Sequence, residues 1–348
     1  MATTRPDAPA VVKELAREVG FDLVGIARPE PPDTLGFFRE WSARGHAGEM
    51  GYLTSQVERR SDLRVAFPWA RSLLVVGLQY DTAHPYSTAA PPERGWIARY
   101  AWGDDYHDVV LRRLERLVER LRETLGPFEA RPYVDTGPIA EKAYAAAAGV
   151  GSYGKNTCLL DTEQGSWFFL GVVVTDLELL PDAPRPDLCG SCTACLDACP
   201  TNAFPAPYVL DATRCISYLT IEIKGSVPEE LRSGVGRHVF GCDICQDVCP
   251  WNRKRKHAGP EAFEPRDGAE APGLEDLAGL SAGGFSERFR KSAVKRAKRR
   301  GLLRNVAIAI GNSGDTKLRP VAEALAQDED ALVREHALWA LARLPLST

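Results

Sequence analysis

The chain has 348 residues, of which 44% are hydrophobic and 26% charged, with a formal net charge of −4. This is the make-up of an ordinary globular protein, long enough for two or three structural units. It excludes a membrane-spanning chain, because the longest apolar run, Trp167 to Thr175, is far short of the ~20 residues needed.

In chain order, Val11 to Val19 has helical spacing and stops at Gly20, and Phe21 to Ala27 then reads as a strand. Phe37 to Ala43 reads as a helix and Ser72 to Leu78 as a buried strand. His107 to Leu125 is a long amphipathic helix with Val110, Leu111, Leu114, Leu117, Val118 and Leu121 on its apolar face. Arg131 to Asp135 is predicted as a strand, Pro138 to Ala148 as an alanine-rich helix, and Trp167 to Leu177 as the clearest strand. The mixture predicts an α+β domain over residues 1–180. Pro181 to Pro186 is a linker into a second unit, 181–256, and residues 257–348 form a linker followed by a helical block. In that block Leu302–Ile310, Leu318–Ala326 and Ala331–Leu344 are short amphipathic helices. The last resembles a HEAT-type helix, and with fewer than two full repeats the block must pack on the rest of the protein.

The middle unit carries the densest chemistry. One run is Cys189-Gly-Ser-Cys192-Thr-Ala-Cys195-Leu-Asp-Ala-Cys199-Pro200. Another is Cys242-Asp-Ile-Cys245-Gln-Asp-Val-Cys249-Pro250, with Cys215 upstream. The first is the C-x₂-C-x₂-C-x₃-C-P pattern of bacterial two-cluster ferredoxins, in which the cysteine before proline ligates the other cube. The predicted partition is Cys189, Cys192, Cys195 and Cys249 on one [4Fe–4S] cluster, and Cys199, Cys215, Cys242 and Cys245 on the other. It accounts for eight of the 9 cysteines. Zinc ribbons use paired C-x₂-C knuckles, and neither the triple run nor Cys-Pro belongs to that grammar. Thiolate-bound clusters suit a reducing compartment, and the N-terminus lacks a signal core and paired arginines, so a cytoplasmic protein is expected.

Arg288, Arg290, Lys291, Lys295, Arg296, Lys298, Arg299, Arg300 and Arg304 crowd one segment, and Arg253 to Lys256 form a second basic knot. Such concentration in an acidic chain suits a phosphate-bearing partner, or else a solvated helix face. In the N-terminal half, Asp135 closes a predicted strand before a Gly-Pro turn and a helix start. It is either an ordinary helix N-terminal aspartate or, if partly desolvated, a proton donor. Gly149, Gly151 and Gly154 could cradle a phosphate or a large cofactor, but they follow no strand and are no dinucleotide fingerprint. The odd cysteine, Cys158, reads as a small buried residue, and no histidine stands at metal-ligand spacing.

Taken together, Val134-Asp135-Thr-Gly-Pro, Gly154-Lys155-Asn156-Thr157, Gly165-Ser-Trp167, both cysteine runs, Arg214-Cys215-Ile-Ser217-Tyr-Leu-Thr220, Leu303-Arg-Asn305 and Arg334-Glu-His-Ala resemble the epoxyqueuosine reductase family. The resemblance runs from Glu58-Arg59-Arg60 almost to the C-terminus. It implies reduction of epoxyqueuosine to queuosine at the tRNA wobble position, using two [4Fe–4S] clusters and cobalamin held without a histidine under cobalt. It makes Asp135 the proton donor, and Arg60, Ile139, Ala140, Glu141, Lys142, Cys158, Ser217, Gly241, Cys242 and Asp243 the corrinoid lining. Lys224, Arg290, Lys291, Arg296, Lys298, Arg299, Arg300 and Arg304 would hold the anticodon stem-loop. The implied partners are that stem-loop and a low-potential ferredoxin or flavodoxin, with no membrane, and a monomer is expected. The rivals are a corrinoid reductive dehalogenase-like enzyme, a non-catalytic two-cluster carrier, and a nucleic-acid-binding protein with structural clusters.

Overall fold

The computed structural model describes residues 7–254, 257 and 259–345. Its centre is an antiparallel sheet in the order Leu23–Ala27, Ser72–Gln79, Phe168–Thr175, Ala130–Tyr133. Register is fixed by the two central strands, whose Val75 faces Val172 and Leu73 faces Val174. Alternation then divides the apolar side chains between two faces. Leu74, Val76, Leu78 and Val173 meet helices Ala8–Glu18 and Tyr106–Leu125. On the opposite face, Leu73, Val75, Val172 and Val174 meet helix Glu141–Ala147 and Leu63.

Local chemistry sets the ends of these elements. Asp105 Oδ1 accepts the His107 N–H at 3.1 Å and starts the long helix, which Gly126 ends with a φ of 90°. The predicted strand through Asp135 stops at Tyr133, and the predicted helix from Pro138 begins only at Glu141. The difference is a loop in which Asp135 takes a left-handed φ of 58° and Gly137 passes so close to Tyr133 that a Cβ would lie 2.6 Å from its ring.

The three predicted units share their cores. Residues Trp96–Ile97 leave the N-terminal sheet and pair in parallel with His238–Phe240. Ile97, Trp102, Val239 and Phe240 then pack into one core with Leu302, Leu303, Val306 and Ile310 of helix Lys298–Ser313. That core crosses the lines drawn at residues 180 and 256, because tertiary packing of a short excursion leaves no compositional mark. Among the described residues, no helix is long and apolar enough to cross a membrane.

The C-terminal helices clamp one loop. Arg304 is 1% exposed, and its guanidinium donates to the carbonyls of Leu219, Ile223 and Gly225 at 2.7, 2.8 and 2.8 Å. Asn305 Nδ2 reaches the carbonyls of Thr220 and Val239. From the other side, His336 Nε2 accepts the Val227 N–H at 3.2 Å, and Arg232 pairs with Glu335. The expectation that Arg304 touches RNA is therefore corrected: its charge is consumed by main-chain oxygens, and burial pulls its pKa down to about 10. Arg304→Met is expected to cost about 2–4 kcal/mol of stability, since buried carbonyls lose charged donors. Urea titration of the loaded protein checks this, and unchanged stability with weakened RNA binding would restore the surface role.

Candidate active site

The eight cysteines of the two runs and Cys215 gather as two crossed sets. Burial first, then the thiols of Cys189, Cys249 and Cys192, push Cys195 up to about 11. Burial, and further along Cys215 and Cys199, raise Cys242, while Cys245 is raised by its hydrogen bond with Cys158, then by burial, and further along by Cys242 and Cys215. Crowded thiols raising one another's pKa are the arrangement that a cationic iron core relieves. Among the described residues no three His, Cys, Asp or Glu side chains stand close enough to hold a single metal ion. Thiolates on a four-iron cube each hold a different iron, so they sit farther apart than the ligands of one zinc. Cys192 is exposed and Cys249 buried, so the Cys189 set reaches the surface.

Two sequence motifs act as braces around these thiols. The Lys155 N–H donates to Cys189 Sγ at 3.3 Å, its Nζ to the carbonyls of Gly190 and Cys192, and Asn156 Nδ2 to the Cys245 carbonyl. Gly154-Lys155-Asn156 thus spans both sets, and N–H donors on sulfur are one of the levers on cluster potential. Ser166 and Asn252 exchange hydrogen bonds at 2.7 and 2.9 Å. A Cβ on Gly165 would sit 2.0 Å from Asn252 Oδ1, which accounts for Gly165-Ser-Trp167. The glycines read as a cradle are packing glycines: a Cβ on Gly149 would lie 2.5 Å from the Ala183 carbonyl, and one on Gly151 would lie 3.1 Å from that of Leu160.

Lys142 connects the loop holding Asp135 to this arrangement, since it lies within electrostatic reach of Cys158, Asp135 and Cys245. The Asp135 carboxylate is exposed. Tyr106, at the head of the long helix, donates its hydroxyl to Asp135 Oδ2 at 2.7 Å. The Tyr106 ring stacks on Phe169 with centroids 4.4 Å apart and on His107 at 4.0 Å. Burial and then the Asp135 charge drive the Tyr106 pKa far up, so the phenol keeps its proton. Glu141 is partly exposed, yet desolvation and then the Asp135 charge push its pKa up to about 8, and its Oε1 accepts the Asp135 N–H at 2.8 Å.

The other corrinoid-lining expectations converge on the same place. Arg60 Nη1 donates to the Ile139 carbonyl at 3.0 Å, bringing the Arg59–Arg60 helix to the Ile139–Ala140 turn. Lys142 Nζ donates to the Thr157 carbonyl, and Cys158 hydrogen-bonds Cys245, so the odd cysteine lies against the inner thiol set. The N–H of Gly241 donates to Thr220 Oγ1, Ser217 supports Cys215, and Asp243 accepts the Arg99 N–H at 2.6 Å. Tyr100 lies within electrostatic reach of both Asp243 and Asp135. Tyr106, Tyr100 and Tyr52 have no periodicity or motif to single them out, and sequence reasoning missed them.

The basic segment is divided in use. Arg290, Lys291, Lys298 and Arg300 are exposed, as is Lys224, whose N–H donates to Glu49 Oε2. Arg299 is half-buried on Asp328 and the Leu280 carbonyl. Arg296 pairs with Glu222 at 2.7 Å and sits 5.5 Å over the ring of Tyr52, itself 43% exposed and within reach of Asp135 and Arg60. The basic edge therefore runs up to the Asp135 loop. The knot at 253–256 falls largely outside the described residues.

Residues 60–136 match the family described as "Epoxyqueuosine reductase QueG, DUF1730", and residues 188–252 match the "4Fe-4S double cluster binding domain". The epoxyqueuosine reductase of Xanthomonas campestris is 40% identical over 341 residues, covering 97% of this chain and 96% of its own. That of Pseudomonas aeruginosa is 42% identical over 339 residues, covering 95% and 93%. The chain belongs to the epoxyqueuosine reductase family. It is accordingly an oxidoreductase with a double [4Fe–4S] domain. Solved epoxyqueuosine reductases share the fold. The Streptococcus thermophilus enzyme aligns with a TM-score of 0.88 at 29% identity, covering 97% of this chain and 90% of that one. An epoxyqueuosine reductase bound to an epoxyqueuosine-modified tRNA-Tyr stem loop aligns at 0.86 and 31% identity, covering 96% and 89%. A Bacillus subtilis structure with the same scores is described with its catalytic aspartate loop swung out of the active site.

Proposed function

We propose that this member of the epoxyqueuosine reductase family reduces the epoxide of epoxyqueuosine at the wobble position of tRNA. Electrons pass from an outside ferredoxin or flavodoxin through the surface cluster of Cys189, Cys192, Cys195 and Cys249. Cys199, Cys215, Cys242 and Cys245 would hold the inner cluster, and a bound cobalamin would supply the redox chemistry at the substrate. One observation carries the reading: Lys142 lies within electrostatic reach of Asp135, Cys158 and Cys245, and Tyr52 and Tyr100 lie within reach of both Asp135 and Arg296. A splayed wobble base, delivered by cations that track the phosphates, would meet an acid and an electron source at one point.

The residues present fit a corrinoid. Arg60 Nε is a buried donor with no partner among the described residues, next to the Ile139 carbonyl that its Nη1 already holds. Arg60, Ile139 to Lys142, Cys158, Ser217 and Gly241 to Asp243 offer the mixed donors and acceptors that an amide-rimmed macrocycle needs. When bound, the cofactor supplies the one-electron cobalt chemistry that weakens the carbon–oxygen bond. The chain's own part is to hold the epoxide still, exclude water and deliver protons. Asp135 donates to the oxirane oxygen as the bond opens, with Tyr106 fixing the carboxyl by its hydroxyl. Thiolate-bound clusters keep the cytoplasm as the proposed setting.

The anaerobically reconstituted chain is expected to retain about one added cobalamin per chain through gel filtration. Loaded clusters with no retained corrinoid would overturn the reading. Reversing charge at Lys291 and Lys298, which form no ion pair among the described residues, is expected to weaken stem-loop binding roughly tenfold and flatten its salt dependence. Unchanged affinity would remove the edge from the interface.

A further inference from the structure

Converting an epoxide to an alkene consumes two electrons and two protons, and both protons leave with the oxygen as water. Asp135 supplies one proton at a time, so a single turnover needs a second proton close at hand. We propose that Glu141 is a second proton donor, recharging Asp135 across the Gly137–Pro138 turn within each turnover. This inference rests on the function proposed above.

The geometry carries it. Glu141 opens helix Glu141–Ala147, and its Oε1 accepts the Asp135 backbone N–H at 2.8 Å, which anchors the Glu141 carboxyl to the main chain of the residue that carries the other carboxyl. The cations nearest it are engaged elsewhere: Arg60 on the Ile139 carbonyl at 3.0 Å and Lys142 on the Thr157 carbonyl at 3.1 Å. Neither pairs with Glu141 among the described residues, so this is no structural ion pair. Burial and then the Asp135 charge favour the acid form of Glu141, and the Asp135 N–H, Arg60 and Lys142 oppose it; the first two win and place its pKa at about 8. Tyr106 completes the cluster from the far side, holding Asp135 Oδ2 at 2.7 Å. Two neighbouring carboxyl groups with unequal burial are the usual way to keep one proton in store.

The steps balance. The Asp135 proton passes to the oxirane oxygen as the first carbon–oxygen bond breaks. Glu141 then protonates the Asp135 carboxylate, which gives that proton to the hydroxyl as the second carbon–oxygen bond breaks and water leaves. The two electrons come from the low-potential one-electron donor through the clusters, and the two carbons are reduced to the alkene. Two solvent protons close the cycle: one passes through Glu141 to restore the Asp135 acid, and the second restores Glu141.

Infrared difference titration of the cluster-loaded full chain, before corrinoid is added, reads the stored proton directly. The wild type is expected to lose a protonated-carboxyl band with a midpoint of about 8. Glu141→Gln abolishes that band and Asp135→Asn moves it to lower pH. A band unchanged by Glu141→Gln, or no such band, overturns the proposal. In turnover, Glu141→Gln is expected to lower kcat about 10- to 100-fold with stem-loop Kd unchanged, and Glu141→Asp to recover part of it. Full kcat in Glu141→Gln also overturns it. A wild type that fails to turn over epoxyqueuosine would sink the parent reading, and the infrared result would still decide whether Glu141 holds the proton.

Discussion

Asp135→Ala removes turnover, lowering it by at least about 100-fold, while both clusters and stem-loop affinity are retained. The side chain supports no packing: it is exposed, and its partners are the Tyr106 hydroxyl and, through its own N–H, Glu141. Its backbone is another matter. A φ of 58° is costly for a non-glycine residue, and a strained residue kept in a loop points to a placed carboxyl. Alanine in the left-handed region is less comfortable than aspartate, so Asp135→Asn is the sharper variant, since asparagine tolerates that conformation and accepts from Tyr106. Iron content, cluster spectra and stem-loop Kd of Asp135→Asn should match the wild type while kcat collapses. Full activity in either variant would remove Asp135 from the chemistry.

Cys199→Ser has the second large effect, and it separates crossed from uncrossed ligation. Cys199 follows Cys189, Cys192 and Cys195 in sequence, yet the thiol affected by it is Cys242, along with Cys215. Crossed ligation predicts that Cys199→Ser spares the surface cluster and disables the inner one. Iron falls from about eight to about four atoms per chain. The remaining cluster still accepts electrons from an outside reductant, and turnover stops because the path is cut. Cys249→Ser is the mirror case, losing the surface cluster although it lies in the second run. Paramagnetic resonance of the two variants distinguishes the clusters. Loss of the surface cluster in Cys199→Ser would show that each run holds its own cube.

How much of this was legible in the sequence depended on whether the signal was local. The double-cluster domain needed only spacing, because two cysteine runs with two-residue gaps are a local signal. The long helix announced itself through Leu114, Leu117 and Leu121, and the central strands through their β-branched runs. Arg304 misled, because a charge run looks the same whether one member faces RNA or three buried carbonyls. The excursion of Trp96–Ile97 to pair with His238–Phe240 was invisible: two residues of strand leave no period to detect. Asp135 was found through its turn, while the desolvated carboxyl beside it, Glu141, carried no signal in the sequence. Desolvation is a property of what packs around a carboxyl, and the sequence places those neighbours dozens of residues away.

The central claim is tested most directly by anaerobic turnover of tRNA carrying epoxyqueuosine, with added cobalamin and a strong reductant, read by mass spectrometry of the released nucleosides. The account predicts loss of one oxygen mass from the modified nucleoside, dependent on cobalamin. No conversion, with both clusters and corrinoid demonstrably loaded, would contradict it and turn the site toward a different substrate.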